Sequence, residues 1–336
     1  MSGSRPRVAV IFTGGTISMR LDADAGGNVP TLGGREILAR TPGLDEIAEV
    51  VPTDLGRTPA SHFTFSQLFG ICGAIRAAQA DPAIDGVVVV QGTDVLEETA
   101  FFWDLLLDLP VPVVVTGAMR TPSEPADDGP ANLRDAVRCA ADPRLRDQGV
   151  VAVLGGSIDA ADDVTKTHAS ALDTFRSLND GPLGGVGPDG VRIVRRRGFR
   201  RQVRAARAAE RVRLVTAHVA MDGSLVEAAV AAGADGLVIE ATGAGNTSAL
   251  VLDAASRAMG QGIPVVLTTR CPAGAAGTGY AFPGGGATWR RAGAMLAGTL
   301  GGPKARIAMA LGLGAGLGRG ELEALLAGVP GPSRAT

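Results

Sequence analysis

The apolar residues of this chain fall into short, uninterrupted runs, each ending at a glycine–hydroxyl turn. Val8–Phe12 (VAVIF) is rich in β-branched residues and stops at Thr13-Gly14-Gly15-Thr16. This pattern predicts a buried parallel strand opening into a glycine turn. Asp85–Val90 (DGVVVV) ends in Gln91-Gly92-Thr93-Asp94, and a helix is predicted over Leu96–Asp108, with Glu97 and Glu98 in its first turn. Pro112–Val115 ends in Thr116-Gly117-Ala118-Met119-Arg120, and Gly149–Leu154 is a fourth run of this kind. Helical spacing follows Thr64 through Ala80 and runs from Ala131 to about Ala141. Arg35–Val51 also has helical spacing, broken at Pro42-Gly43, whereas Arg20–Gly34 is polar, Gly- and Asp-rich, and reads as a structureless lid or surface connection. Lys166 is expected just beyond a strand, in Val164-Thr165-Lys166-Thr167-His168.

Repeated strand–loop–helix units imply a doubly wound α/β fold with a mainly parallel sheet, the helices being the crossovers. The pattern is interrupted by an arginine-dense stretch, Arg192–Arg213, and then resumes. Strands are expected over Leu214–His218, Gly236–Glu240 and Ile263–Thr269. Helices are expected over Ser224–Ala232, up to Met259, Ala287–Gly298, Pro303–Leu311 and Glu321–Gly328. The expected organisation is a larger N-terminal α/β domain over 1–195, an Arg-rich linker over 196–212, and a smaller C-terminal α/β domain over 213–336 with its own strand-end loop, Gly243–Thr247.

Composition narrows the chemistry. The 336 residues carry a net charge of −2 and only 4% aromatics. The near-neutral balance gives no electrostatic footprint for nucleic acid, and few aromatics interleave with the arginines. No apolar stretch reaches the ~18 residues that span a membrane. The N-terminal MSGSRPR runs directly into the first strand, leaving no room for a signal peptide's apolar segment, so a cytoplasmic protein is expected. Three scattered cysteines (Cys72, Cys139, Cys271) and three unpaired histidines (His62, His168, His218) supply neither a metal site nor a serine–histidine triad, and no cofactor is expected. No phosphate loop is present.

The basic residues are 30 Arg and 2 Lys. Lys can lose its proton when desolvated and Arg effectively cannot, which marks Lys166 as a candidate base; Lys304 is the other lysine. Thr16 and Thr93 are the candidate nucleophiles, with Asp94 beside them, although Asp94 could equally cap the following helix. A threonine hydroxyl needs a base to attack, and turn N–H groups can hold a developing oxyanion. Acyl transfer from a small polar substrate to water is the chemistry these residues suggest.

Several segments carry a family resemblance: TGGTI (13–17), QGTDVLEETAFFWDL (91–105), TGAMR (116–120), DGPANLRDAV (128–137), DVTKTHASALDTFRSLNDGPLG (163–184), GAGN (243–246) and GPKAR (302–306). In order and over nearly the whole chain, these resemble the bacterial-type L-asparaginases. The resemblance implies hydrolysis of L-asparagine, sometimes of glutamine, without a cofactor. It implies Thr16 as primary nucleophile and Thr93, Asp94 and Lys166 as a second hydroxyl–carboxylate–amine set. Substrate contacts are implied for Gly15, Gly92, Thr93, Asp94, Ala118 and Ser61, with Ala60 the alternative to Ser61 at the α-carboxylate. Asn246 is implied to reach a neighbouring subunit's site in a homodimer or homotetramer. Three features depart from the family pattern, one of them the second-domain glutamate of secreted members, which has no match in Cys271–Gly279. The lid tyrosine is replaced by Asn28 or Val29, and the usual histidine before Gly92 is Gln91. The missing phenol leaves a non-catalytic aspartate- or asparagine-binding protein on the same scaffold as one alternative to an asparaginase, and the single methylene between the two substrates leaves a glutamine-preferring enzyme as another.

Overall fold

The computed structural model describes residues 5–108 and 110–328. The chain divides into two compact units, Met1–Gly198 and Phe199–Thr336.

In the first unit, β1 (Arg7–Phe12) leads to a 3-10 turn at Thr16–Ser18, then to the hairpin β2 (Met19–Asp22) and β3 (Gly27–Pro30). The stretch read as structureless is therefore an antiparallel ribbon, with Arg20 opposite Val29 and Leu21 opposite Asn28. Its polar, glycine-rich composition conceals the pairing because both faces of a two-stranded ribbon meet water. Two short helices follow, α1 (Gly34–Ala39) and α2 (Leu44–Ile47), and then β4 (Glu49–Asp54). The helical reading of 35–51 thus fails at its end: Glu49–Asp54 pairs in parallel with β1 as an edge strand. An edge strand tolerates Pro52 and mostly exposed side chains, so it lacks the apolar run of a central strand.

Thr64 caps α3 (Phe65–Ala80), its hydroxyl accepting from the Gln67 N–H. Next come β5 (Gly86–Val90), α4 (Leu96–Leu106), β6 (Val113–Thr116), α5 (Gly129–Ala140) and β7 (Val150–Leu154). The parallel strands stand in the order β4-β1-β5-β6-β7. The valine-rich interiors of β1, β5, β6 and β7 are almost wholly buried, as strands covered on both faces require. From β1 the chain goes first to one neighbour, β4, and later to the other, β5. The reversal puts the topological switch point between the carboxyl ends of β1 and β5, where open α/β sheets form ligand crevices.

Beyond β7 the parallel pattern stops. β8 (Ser157–Ala160) turns back antiparallel to β7. β9 (Val164–Lys166) and β10 (Phe175–Ser177) form a separate antiparallel ribbon. β11 (Gly184–Gly187) and β12 (Gly190–Ile193) extend the main sheet antiparallel. Lys166 is the last residue of β9, not a residue beyond a parallel strand. Within the arginine stretch, Arg197 is not a surface charge. Its guanidinium is buried between Asp104 and Asp162, at 3.0 and 2.8 Å.

The second unit holds the parallel sheet β13 (Val212–Thr216), β14 (Gly236–Ala241), β15 (Val265–Thr269) and β16 (Met295–Leu296), in that order. Its helices are α6 (Ser224–Ala231), α7 (Ala249–Gly260), α8 (Gly286–Ala292), α9 (Gly302–Gly314) and α10 (Arg319–Ala327). The helix expected over 287–298 ends at Ala292, because Gly293 adopts φ +105°, and β16 begins two residues later. The fold is thus two α/β units, the larger with a mainly parallel sheet.

Candidate functional site

Three strand-end loops meet at the β1/β5 switch point. Gly15 has φ +95°, and a Cβ there would stand 2.2 Å from the Gly92 nitrogen. Neither the backbone conformation nor the space admits a side chain, so these two glycines let the Thr16 and Thr93 loops touch through their main chains. A Cβ at Gly92 would meet Ala60 at 2.9 Å, and one at Gly117 would meet the Gln91 carbonyl at 2.4 Å. The loops carrying residues 13–16, 58–62, 91–94 and 116–118 therefore pack as one group.

Not every hydroxyl in this group is available for chemistry. The Thr13 hydroxyl donates to the Val90 carbonyl at 3.1 Å, and the Thr116 hydroxyl to the Val153 carbonyl at 2.7 Å. Both fasten neighbouring strand ends. Ser18 donates to the Gly15 carbonyl at 2.6 Å and closes the 3-10 turn. Thr16 opens that turn half-buried, and among the described residues its hydroxyl has no hydrogen-bond partner.

Thr93 is buried, and its Oγ1 accepts from the Lys166 Nζ at 3.0 Å. The same Nζ lies 3.4 Å from Asp94 Oδ1; the Lys166 side chain is 16% exposed and that of Asp94 67%. An ion pair with one partner this open to water contributes under about 1 kcal/mol. It contributes placement and charge more than stability. The alternative role for Asp94 as a helix cap is not seen: Val95 occupies the N-cap of α4, with no side-chain cap.

The platform under these residues is rigid. Nine of the eleven residues of α4 are buried, including Phe101, Phe102 and Trp103, and the Trp103 indole donates to the Leu68 carbonyl at 3.0 Å. Each such aromatic contributes roughly 1.5–3 kcal/mol by burial. At the start of α4, Gln91 is fully buried. Its Nε2 donates to Thr99 Oγ1 at 2.6 Å, and among the described residues its Oε1 has no partner.

The turn after β6 is held by α5. Asp128 accepts from the Met119 and Arg120 N–H groups, and Asn132 donates to both Asp128 and the Gly117 carbonyl. One helical turn separates Asp128 from Asn132, so both side chains reach the same loop. This explains the DGPANLR segment, whose structural task the sequence reading does not resolve. Ala118, inside the turn, is fully buried, main chain and side chain alike. Ser61 is exposed in the 3-10 turn Ala60–His62, while Ala60 is buried against Gly92.

Asn246 lies in the second unit. Main-chain bonds in both directions pair it with Thr242, and among the described residues its buried Oδ1 has no hydrogen-bond partner. Sequence reasoning missed Glu97. Its carboxylate accepts the Lys166 main-chain N–H at 3.0 Å. Among the described residues no group of acidic, cysteine or histidine side chains is arranged to hold a metal ion.

Fold and site together define a two-unit α/β protein with a hydroxyl–amine–carboxylate set at the switch point of its larger sheet. Residues 7–198 match the family model described as "Asparaginase, N-terminal", and residues 211–326 match "Glutaminase/Asparaginase C-terminal domain". The chain belongs to the asparaginase/glutaminase family. It is 38% identical over 316 residues to a "Probable L-asparaginase" of Deinococcus radiodurans, covering 91% of this chain and 92% of that protein. It is 33% identical over 305 residues to an "L-asparaginase" of Bacillus licheniformis, covering 91% and 94%. A "Probable L-asparaginase periplasmic" of Haemophilus influenzae is 34% identical over 181 residues, 53% of this chain and 51% of that protein. Among the described residues no helix is long and apolar enough to cross a membrane.

Proposed function

We propose that the protein hydrolyses L-asparagine to L-aspartate and ammonia. The observation that carries this reading is the Lys166–Thr93–Asp94 set on a rigid helix start, beside a Thr16 hydroxyl left free of internal bonds. Family membership and two relatives named as L-asparaginases support the same reading.

In this mechanism Thr16 Oγ attacks the side-chain amide carbon, with turn N–H groups from Gly15 and Gly92 facing the oxyanion. The C–N bond breaks, ammonia leaves carrying the proton that the Thr16 hydroxyl gives up, and an ester to Thr16 remains. Water then adds to the ester, passing a proton by way of Thr93 to the Lys166 amine; the Thr16 oxygen leaves, takes that proton back, and aspartate is released. Asp94 holds the substrate's α-ammonium and Ser61 (or Ala60, through its main chain) the α-carboxylate, while the turn around Ala118 lines the amide end. Only a base that can exist neutral serves here, which is why lysine stands where this arginine-rich chain would otherwise place arginine.

The reading extends to a homodimer or homotetramer with sites at subunit interfaces. The Gly243–Asn246 segment, which resembles the corresponding segment of the bacterial-type L-asparaginases, supports it. A cytoplasmic location fits the two buried thiols, Cys72 and Cys139. The test is product analysis with L-asparagine and L-glutamine side by side. Release of aspartate and ammonia from asparagine supports the proposal. Turnover of glutamine alone would move the assignment to the larger amide, a preference that one methylene, worth about 1–3 kcal/mol, decides. Stabilisation by aspartate without turnover of either amide would make the protein a binder.

A further inference from the structure

Lys166 does not belong to the eight-stranded sheet. It ends β9, whose strand partner is β10, a three-residue strand. A two-stranded ribbon of this length does not hold a side chain to a fraction of an ångström by itself. Yet Lys166 Nζ meets Thr93 Oγ1 at 3.0 Å and Asp94 Oδ1 at 3.4 Å, and both partners sit at the start of α4. One further contact joins the two elements at the same place. Glu97 Oε2 accepts the Lys166 main-chain N–H at 3.0 Å across 69 residues of sequence. Glu97 is half-buried in the first turn of α4, three residues after Asp94 and four after Thr93. The segment 93–97 thus grips Lys166 at both ends, the amine through Thr93 and Asp94 and the main chain through Glu97.

We propose that Glu97 is a positioning residue: its carboxylate fixes the β9 ribbon against the start of α4 and so sets the Lys166 amine on Thr93. The role attributed to the amine rests on the hydrolytic reading above. A carboxylate acceptor suits the task, since hydrogen bonds to charged acceptors are short and strong, and a negative charge in the first turn of a helix is favoured. The substitution Glu97→Gln keeps an acceptor oxygen at the same reach, Glu97→Asp leaves it one methylene short, and Glu97→Ala removes it.

The two lysines of the chain make a direct test possible. Lys304, 5% exposed in the second unit, is the internal reference. Native protein is pulsed with acetic anhydride over a range of pH, and acetylation of each lysine is measured by peptide mass spectrometry. In Glu97→Ala and Glu97→Asp, Lys166 is expected to react several-fold faster than in the parent chain and with an altered pH profile, while Lys304 is unchanged. Glu97→Gln is expected to match the parent. In parallel, kcat on L-asparagine is expected to fall about tenfold or more in Glu97→Ala with KM little changed, because slight misplacement of a catalytic group is costly. Unchanged Lys166 reactivity and kcat in Glu97→Ala would overturn the proposal. So would equal losses in Glu97→Gln and Glu97→Ala, which would make charge, not the hydrogen bond, the operative property. If Glu97→Ala does not fold, the contrast between Glu97→Asp and Glu97→Gln decides in the same way. A parent chain that turns over no amide would remove the hydrolytic reading, while the acetylation contrast would still report on Glu97.

Discussion

Lys166 Nζ and Thr93 Oγ1 stand 3.0 Å apart although 73 residues separate them in the chain. The contact joins a short ribbon outside the main sheet to the loop at its switch point. If Lys166 serves as the base, only an amine that can shed its proton will do. Lys166→Arg keeps the charge but is expected to lower kcat by about a hundredfold or more, a loss in the range assigned to general acid–base catalysis. Steady-state ammonia release measures it, and a Lys166→Arg variant with parental kcat would remove Lys166 from the proton path.

The main-chain contact of Gly15 with Gly92 leads to a second expectation. Gly15→Ala meets both a left-handed backbone and a 2.2 Å approach to the Gly92 nitrogen. Together these cost more than about 2 kcal/mol. The change should lower the unfolding midpoint and abolish turnover, because the Thr16 loop has to move away from Thr93. Gly26→Ala, also at positive φ but with open space around it, is the control and should spare activity.

Arg197 lies buried between Asp104 and Asp162; burial works against its charge, but the two carboxylates outweigh it and hold the guanidinium firmly charged. Arg197→Met removes the cation from between two carboxylates, of which Asp104 is fully buried and still accepts the Val150 N–H. The expected cost is about 3–5 kcal/mol in chemical denaturation. A loss under about 1 kcal/mol would show that the cluster relaxes or takes up water.

Burial pushes the Cys139 thiol well above its ordinary value of 9.0. The folded state then keeps a proton that the unfolded chain releases as pH rises past 9. Stability conferred by the protonated thiol is complete below that pH and declines above it, by up to about 1.4 kcal/mol per pH unit. Denaturation between pH 8 and 10 should show the decline, and Cys139→Ala should make it shallower. Thiol labelling adds a count: Cys271 is exposed and should react in the native protein, while Cys72 and Cys139 should react only after unfolding.

The central strands and their glycine–threonine turns are legible in the sequence because each β-branched run is buried on both faces and stops abruptly. β4 and the β2–β3 hairpin are misread for the opposite reason: an edge strand containing Pro52 and a two-sided polar ribbon carry no apolar signature. Thr16, Thr93, Asp94 and Lys166 are visible as residue types at strand ends, yet the ribbon that carries Lys166 is not, since β9 has only three residues. Glu97 reads as an ordinary first-turn acid, because its partner is a main-chain N–H 69 residues away. The DGPANLR segment is recognisable as a motif, while its task of holding the 116–120 turn requires coordinates.

The most direct test of the whole account is the initial rate of ammonia release from L-asparagine by the intact chain and by Thr16→Ala at matched concentration. The account predicts turnover by the parent and a loss of at least about a thousandfold in Thr16→Ala, the scale on which removing an activated nucleophile acts. Parental turnover in Thr16→Ala would contradict it and place the attacking group elsewhere in the site.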